Sequence, residues 1–556
     1  MISITERKTE KVVGETSLFL SFEYKKEHVD FIHTLPGCNF SKRTHLWEIP
    51  LVYLSKVLDY FCQVDDLELS LLPDPHDSDD PAITVDTSSY KLKPFDFQVE
   101  AIEYGLNHKR WLLLDPPGLG KTATIIHIVE ELLKSNQLHH CLVVCGLNTI
   151  KENWKEEVKK HSDLSCMILG QRLKRDGSYI VDGISKRIEQ LASPIKETIV
   201  ITNIETIRNN DIVELIENGP NKFELIVCDE IHKVKNSSSQ QGHNFLKLIK
   251  HERKIGATGT LLMNSPLDAY VPLSWIGVER ATETNFKYFY CKYNNRNLVG
   301  YQNIDHLKDV ISNHSLRRSK DLLKLPPLQL INEYVEMEPP QKKLYEEVAE
   351  GIRSQVDKVK LNKSNVLSLV GRLRQVTACP SILTTKDIPS AKIDRCCDLV
   401  EQIVSGGEKV LIFSTFKETV EVLRERLKQY HPLVGTGDIP EAEINKNVQR
   451  FQNDSYNKCF IATWQKMGTG LTLTAATYVI FIDTAWTSAD VEQHYSRAYR
   501  AGTSKSVTVY FLITRGTIDE KVDAIVHTKQ AISDYIIDDS ISDEGFEILK
   551  KYIQQI

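Results

Sequence analysis

Two short stretches hold the residue types that phosphate chemistry requires: Asp115-Pro116-Pro117-Gly118-Leu119-Gly120-Lys121-Thr122 and Asp229-Glu230-Ile231-His232. The first follows an apolar run at 111–114 and leads into Ile125, Ile126, Val129, Leu132 and Leu133 at helical spacing. Strand, glycine loop and helix form the setting in which loop N–H groups and a helix N-terminus meet phosphate oxygens. Lys121 supplies a point charge there, and Thr122 a hydroxyl for magnesium. Asp229 and Glu230 end a second apolar run, 223–228, at the carboxyl end of an expected strand, where open α/β sheets keep their ligands. Asp229 is suited to hold magnesium and Glu230 to prepare an attacking water. Asp115 stands where the strict G-x-x-x-x-G-K-[ST] pattern has glycine, and a lone Gly-x-Gly-Lys-Thr also occurs in loops by chance. An acidic box after its own strand signal makes hydrolysis of a nucleoside triphosphate the expectation.

A phosphate-binding loop alone would also suit a kinase or a transporter subunit. Gln493-His-Tyr-Ser-Arg497-Ala-Tyr-Arg500 discriminates. Arg497 and Arg500 are three residues apart, so on an expected helix both project from one face. Far from Lys121 in sequence, they reach a γ-phosphate only if two lobes face each other across it. Hydrolysis then depends on lobe closure, which makes a mechanical cycle of it.

The elements that must position these groups alternate in the manner of parallel sheets covered on both faces. Strands are expected at 141–145, 198–203, 223–229 and 254–260, and a helix carries Ile150, Trp154 and Val158 on one stripe. Longer polar helical stretches fill about 275–400, with a Leu-Pro-Pro break at 325–327. A second alternating block follows: strands at 409–415, 458–464, 476–483 and 506–514, and a helical stripe of Phe416, Val420, Leu423 and Leu427. A length of 556 residues suits about three domains. Apolar runs are strand-sized, too short to cross a bilayer, and the amino terminus lacks the plan of a signal peptide. Eleven cysteines occur without a paired C-x-x-C, which speaks against zinc or a disulfide framework. Cys141, Cys145 and Cys228 read as small core residues. The net charge of −6 is local in origin: residues 1–90 hold 16 acidic against 8 basic side chains, and the remainder 59 against 61. The stretch 73–90, with five Asp and no Lys or Arg, reads as a solvated linker.

Further motifs carry a resemblance. Lys93-Pro94-Phe95-Asp-Phe-Gln98, the Asp-x-x-Gly-Leu-Gly-Lys-Thr of 115–122 and Asp229-Glu230-Ile-His232-Lys-Val-Lys-Asn236 come in order. After them come Ala257-Thr258-Gly-Thr260 with Asn264 and Pro266, Leu316-Arg317-Arg318, Leu373-Arg374-Gln375, Gly468-Thr-Gly470-Leu-Thr-Leu and Asp483-Thr-Ala-Trp486. The chain resembles the Swi/Snf-related DNA-dependent ATPases of helicase superfamily two over about 91–530. Residues 18–61, with Phe22-Glu-Tyr24, Leu35-Pro36-Gly37 and Trp47-Glu-Ile-Pro50, resemble the small HepA-related (HARP) module of the annealing-helicase subgroup.

The resemblance implies an α/β fold of two RecA-like parallel-sheet lobes, those of a P-loop NTPase, with helical insertions and a small α+β N-terminal domain. The expected domains are 1–72, HARP-like; 73–90, acidic linker; 91–328, first lobe with a helical insert; 329–395, helical insert and interlobe region; and 396–556, second lobe. ATP and Mg2+ are the implied cofactors, with Gln98 reading adenine, Asp115 to Thr122 binding nucleotide, Thr122 and Asp229 holding the metal, and Lys121, Glu230, Arg497 and Arg500 catalysing. His232, Thr258, Thr260 and Gly470 would couple hydrolysis to movement. Thr149, Thr202 and Thr415 follow strands where the family touches the phosphate backbone, although helix capping suits them equally. Lys151, Lys155, Lys159, Lys160, Arg317 and Arg318 would add positive charge. Gln465-Lys466-Met467-Gly468 departs from the family's usual basic residue and Ala-Gly-Gly. The implied activity is ATP-driven translocation on duplex, forked or branched DNA by a monomer that remodels or anneals strands, with little sequence preference. Strand-separating action on DNA or RNA, and a DNA-binding protein with a decayed ATPase, are the alternatives. Compact size points to the cytoplasm of a bacterial or phage-infected cell; a eukaryotic source would place it in the nucleus.

Overall fold

The computed structural model describes residues 2–8, 16–61, 67–70, 83–146, 148–173, 179–248, 250–262, 265–294, 297–323, 325–356, 363–464, 472–485, 488–500, 503–520 and 522–523. They divide into two compact units, one built from residues up to 115 with 120–318, the other from 116–119 with 319 onward.

Seven parallel strands form the main sheet of the first unit. Their spatial order is Ser315–Leu316, Arg110–Leu113, Arg253–Ala257, Leu225–Asp229, Cys141–Cys145, Ile199–Asn203 and Cys166–Ile168. Near-continuous apolar runs such as Leu225-Ile-Val-Cys and Cys141-Leu-Val-Val-Cys suit strands buried on both faces. One face packs Trp111, Val143, Ile201 and Val227 beneath Ile125, Ile126, Ile128, Val129 and Leu132 of the helix Lys121–Lys134. Trp154 and Val158 of the helix Asn148–His161 extend that layer. Ile125, Ile126, Val129 and Leu132 of the stripe expected after the glycine loop, and Trp154 and Val158 of the one expected after strand Cys141–Cys145, therefore face the sheet. Strands expected at 198–203, 223–229 and 254–260 are Ile199–Asn203, Leu225–Asp229 and Arg253–Ala257, shorter or shifted where turns take over.

The opposite face is covered by the helices Asn210–Asn218, Gln240–Phe245 and Tyr270–Trp275, and the helix Glu283–Tyr290 beside them carries the N-terminal segment. Expected as strand, helix and strand, it is a five-stranded sheet in the order Asn39–Ser41, Leu46–Pro50, Thr16–Ser21, Ile2–Lys8 and Leu67–Ser70, with helices Lys26–His33 and Leu54–Phe61. Ile4, Leu18, Leu20, Ile49 and Phe61 belong to one continuous core with Leu112, Leu142, Val200 and Ile226 of the large sheet. The junction is also polar: Arg280 Nη1 lies 2.6 Å from the buried Glu6 Oε1, which accepts from Thr16 Oγ1 at 3.1 Å. Phe22 and Trp47 are half-buried and pack against this core.

Buried polar groups interrupt the apolar interior. Lys254, in the strand Arg253–Ala257, donates from Nζ to Trp275 O at 2.9 Å, and burial pulls its pKa down to about 7. Cys141, Cys145 and Cys228 lie in adjacent strands with their thiols pushed up by burial, so they are core residues as expected.

The second unit has six parallel strands, in the order Leu328–Val335, Val507–Thr514, Tyr478–Phe481, Val410–Ser414, Cys459–Thr463 and Leu433–Gly435. Ile393, Leu399 and Val400 of the helix Ala391–Ser405 cover one face with Val420 and Leu423 of the helix Lys417–Arg426. Ile444, Val448 and Phe451 of the helix Glu441–Asn453 cover the other. The region 329–395, expected to be helical, begins with a strand: all of 328–335 pairs in parallel with 507–514. Its Leu-Gln-Leu-Ile-Asn-Glu-Tyr-Val sequence lacks strict alternation, and at the edge of the sheet Leu330 and Tyr334 stay exposed while Val335 is buried. Two parallel sheets, each covered by helices on both faces, give the α/β architecture of paired lobes.

Candidate active site

The glycine loop leaves the strand Arg110–Leu113 and ends at the helix that begins with Lys121 and Thr122. Gly118 and Gly120 have φ of +98° and +80°, left-handed values that glycine adopts without strain. Pro116, Pro117 and Leu119 occupy the rest of the turn. Lys121 Nζ folds back to donate to Asp115 O at 2.7 Å, so the ammonium is held inside the loop. Gln98 Oε1 accepts from Phe95 N at 3.0 Å, back-bonding the residue that precedes the helix, while the buried amide lies directly against Gly120. Gln98, expected to read adenine, is therefore placed beside the phosphate loop with its oxygen already engaged.

Asp115 also departs from expectation. Its side chain is fully buried and accepts from Arg318 Nε at 3.0 Å, from Arg318 N at 3.0 Å and from Arg318 Nη2. A carboxylate saturated by a guanidinium is not a nucleotide ligand; Asp115 belongs to the loop's support. Arg318, expected to present charge to DNA, is buried in the same pair. A separation of 203 residues hides this pairing from sequence reasoning.

The acidic box closes a strand of the same sheet. Asp229 ends Leu225–Asp229, and the chain turns at Glu230 with φ +57°, a conformation uncommon for a non-glycine residue. Asp229 Oδ2 accepts from Trp154 Nε1 at 2.9 Å, a partner that sequence reasoning had read only as a core side chain. Burial, then the neighbouring Glu230 charge, pushes the Asp229 pKa up to about 6, against the opposing pull of Trp154 and Lys121. Two adjacent carboxylates in so apolar a setting are short of positive charge. Such a donor set fits a divalent cation, with Asp229 and Thr122 as the side chains to hold it.

His232 and Thr258 are hydrogen-bonded to each other, Nδ1 to Oγ1, at 2.8 Å. Glu230 Oε2 lies 3.3 Å from His232 Nδ1 and 3.4 Å from Thr258 Oγ1. Thr260 N donates to Thr258 Oγ1 at 3.1 Å, and Thr258 N donates to Leu113 O at 3.0 Å, where the strand feeding the glycine loop ends. Glu230, His232, Thr258 and Thr260 thus form one hydrogen-bonded cluster at the carboxyl ends of adjacent strands. Asn264 and Gly470, with Gln465 to Gly468 and Trp486, lie outside the described residues.

In the second unit the helix Ser488–Tyr495 ends before both arginines, contrary to the expectation of one helix face. Arg497 N and Ala498 N donate to carbonyls three residues back, tightening the turn. Thr503 Oγ1 then accepts from Arg500 N and caps Ala498 O at 2.7 Å, replacing bonds a continuing helix would make. Arg500 Nη1 donates to Thr472 Oγ1 at 2.9 Å; Arg497 is nine-tenths buried.

The expected DNA contacts are revised. Thr202 sits in a buried strand on the face of Val200, its side chain almost wholly inside, so it cannot meet a backbone phosphate as placed. Thr415 donates through N and Oγ1 to Asp483, which also accepts from Ser414 Oγ at 2.6 Å, so its hydroxyl serves the fold. Thr149 lies in the first turn of Asn148–His161, and its side chain is outside the described residues. Lys151 is buried, with its pKa pulled down by burial and by Arg187. Lys159 and Lys160 pair with Glu156 and Glu157 one turn earlier, and Lys155 donates to Gln171 Oε1 at 2.9 Å. The basic stretch on this helix is neutralised or internal.

The profile of the SNF2-related domain matches residues 62–382, and that of the helicase conserved C-terminal domain matches 391–502. The chain belongs to the SNF2-related family. An ATP-dependent helicase of Mycoplasma genitalium is 27% identical over 76% of the chain and 40% of its own length. A putative ATP-dependent helicase/translocase of Bacillus subtilis is 25% identical over 78% of the chain and 48% of its own length. The chain thus spans less than half the length of these SNF2-related relatives. The Sulfolobus solfataricus SWI2/SNF2 ATPase core in complex with dsDNA is 24% identical, with a TM-score of 0.39 over 84% of this chain and 98% of that one. No helix among the described residues is long and apolar enough to cross a membrane.

Proposed function

We propose that this SNF2-related chain is a DNA-dependent ATPase that translocates along duplex, forked or branched DNA and remodels or anneals strands. The observation that carries the catalytic part is the cluster in which Glu230, His232 and Thr258 meet at the ends of two neighbouring strands, the nearer of which pairs with the strand that feeds the Lys121 loop. In this reading the loop N–H groups and Lys121 hold the β- and γ-phosphates, which requires the ammonium to exchange Asp115 O for phosphate oxygen. Glu230 orients a water and takes its proton as oxygen attacks the γ-phosphorus and ADP leaves. Thr122 and Asp229 would hold magnesium, which would neutralise phosphate charge when bound. Arg497 and Arg500 are assigned to the charge that develops on the transferred group. Loss of the γ-phosphate is sensed at Glu230 and relayed through His232 to the 258–260 loop, the step at which chemistry becomes movement.

Membership of the family, together with relatives named as ATP-dependent helicases and a helicase/translocase, supports the reading. ATP turnover measured without polynucleotide and with single strand, duplex, fork or RNA tests it. Stimulation by duplex or forked DNA above RNA is expected; turnover indifferent to every polynucleotide would refute the DNA assignment. Release of a labelled strand, against reannealing of a melted one, separates strand separation from annealing.

A further inference from the structure

Asp115 and Arg318 do more than fill the interior behind the glycine loop. Asp115 is 0% and Arg318 8% exposed, and the guanidinium meets the carboxylate through two nitrogens while Arg318 N donates to the same Oδ1. The remaining nitrogen, Nη1, donates to Phe97 O, and the guanidinium carbon lies 5.3 Å from the centre of the Phe97 ring. Phe97 immediately precedes Gln98, the residue whose amide abuts Gly120, and stacks on exposed Phe95 with centroids 5.4 Å apart. Asp115 O holds Lys121 Nζ. One guanidinium thus joins the first residue of the phosphate loop to the main chain of the helix that presses on its last glycine. Ser315–Leu316 brings Arg318 there by pairing with the strand that feeds the loop, Leu114 N donating to Leu316 O at 2.8 Å. Arg318 is also the residue at which the chain leaves the first unit.

We propose that Arg318 is a positioning residue of the nucleotide site: gripping Asp115 and Phe97 together, it sets the width of the phosphate loop. This rests on the loop being a nucleotide site. A planar fork can bind a carboxylate bidentately, reach a carbonyl and lie over a ring at once. An ammonium is a point charge without the planar fork and cannot keep the bidentate grip while lying over the ring, so Arg318→Lys keeps the charge and loses the geometry.

The test uses the full chain and a fluorescent ATP analogue, with steady-state ATP hydrolysis on duplex DNA. Arg318→Lys is expected to weaken analogue binding and raise KM for ATP about tenfold, while KM for duplex DNA stays within about twofold. Loss of folded protein would instead lower kcat and leave KM for ATP unchanged. Phe97→Leu keeps the ion pair and removes the ring, and is expected to shift KM for ATP the same way by about threefold. Arg172→Gln, which breaks the exposed pair with Asp182, is expected to change neither constant. Arg318→Lys with wild-type analogue binding, or with ATP and DNA constants worsened equally, overturns the proposal. An unaltered chain that binds the analogue but hydrolyses no ATP on any DNA refutes the functional reading alone, and analogue binding by Arg318→Lys then decides this one. Failure of the unaltered chain to bind nucleotide refutes both.

Discussion

Glu230 and Asp229 are neighbours in sequence with opposite demands. Glu230, in a left-handed backbone conformation beside His232 and Thr258, is the proton acceptor of the proposed reaction. Its replacement by Gln keeps the shape and removes the base. Glu230→Gln is expected to bind nucleotide normally and lower kcat by at least about a hundredfold, within the usual range for a general base. Retained turnover would remove the assignment. Asp229 stays expensive as long as no cation faces it. Its pKa of about 6 in the folded chain lies above the ordinary carboxylate value of 3.8, so the fold binds the extra proton between those values. Stability therefore falls as pH rises through that window, and the full penalty is present above it. Asp229→Asn is expected to stabilise the metal-free chain at pH 7.5 by on the order of 1 kcal/mol while abolishing hydrolysis. Thermal unfolding in the presence of a chelator checks the first half, and a drop in stability contradicts it.

At the scale of elements, the strands that bring these residues together were legible where buried on both faces. Leu225-Ile-Val-Cys and Cys141-Leu-Val-Val-Cys are apolar throughout, and no other environment suits them as well. The glycine loop was legible because Gly-x-Gly-Lys-Thr needs a strand before it and a helix after. Leu328–Val335 was not, since its apolar residues do not alternate, Leu330 and Tyr334 being exposed, and its parallel partner lies far along the chain, at 507–514. The arginine segment was misplaced for a local reason: Thr503 hydroxyl bonds end a helix that periodicity alone would continue. Asp115 was misread because its partner, Arg318, is set by topology rather than spacing. Lys254 likewise sits in a strand where an apolar residue was to be expected. Its pKa of about 7 lies below the ordinary lysine value of 10.5, so between those values the unfolded chain binds more protons and stability rises with pH. Lys254→Met is expected to flatten that rise between pH 7.5 and 9.5, by up to about 1.4 kcal/mol per pH unit. Urea midpoints across that range, compared with the parent, give the answer; an unchanged slope would show the ammonium to be solvated.

For the whole molecule, the N-terminal sheet is the part whose status changed most. Its apolar face runs into the core of the first unit, and Arg280 meets Glu6 across the junction. It is expected to melt with residues 83–318 in one calorimetric transition, the second unit giving the other. Arg280→Ala, which strips a buried carboxylate of its cation, should lower the first transition, costing about 3 kcal/mol, without splitting it. A third transition would mean that the sheet folds alone. The cysteines supply a way to watch both units. Cys141, Cys145 and Cys228 lie inside the first and Cys396 and Cys459 inside the second, every thiol discouraged by burial from ionising. An alkylating reagent reaches them only when their own unit opens. Mass spectrometry of tryptic peptides after brief alkylation in graded urea would then report each half on its own channel, with no engineered label.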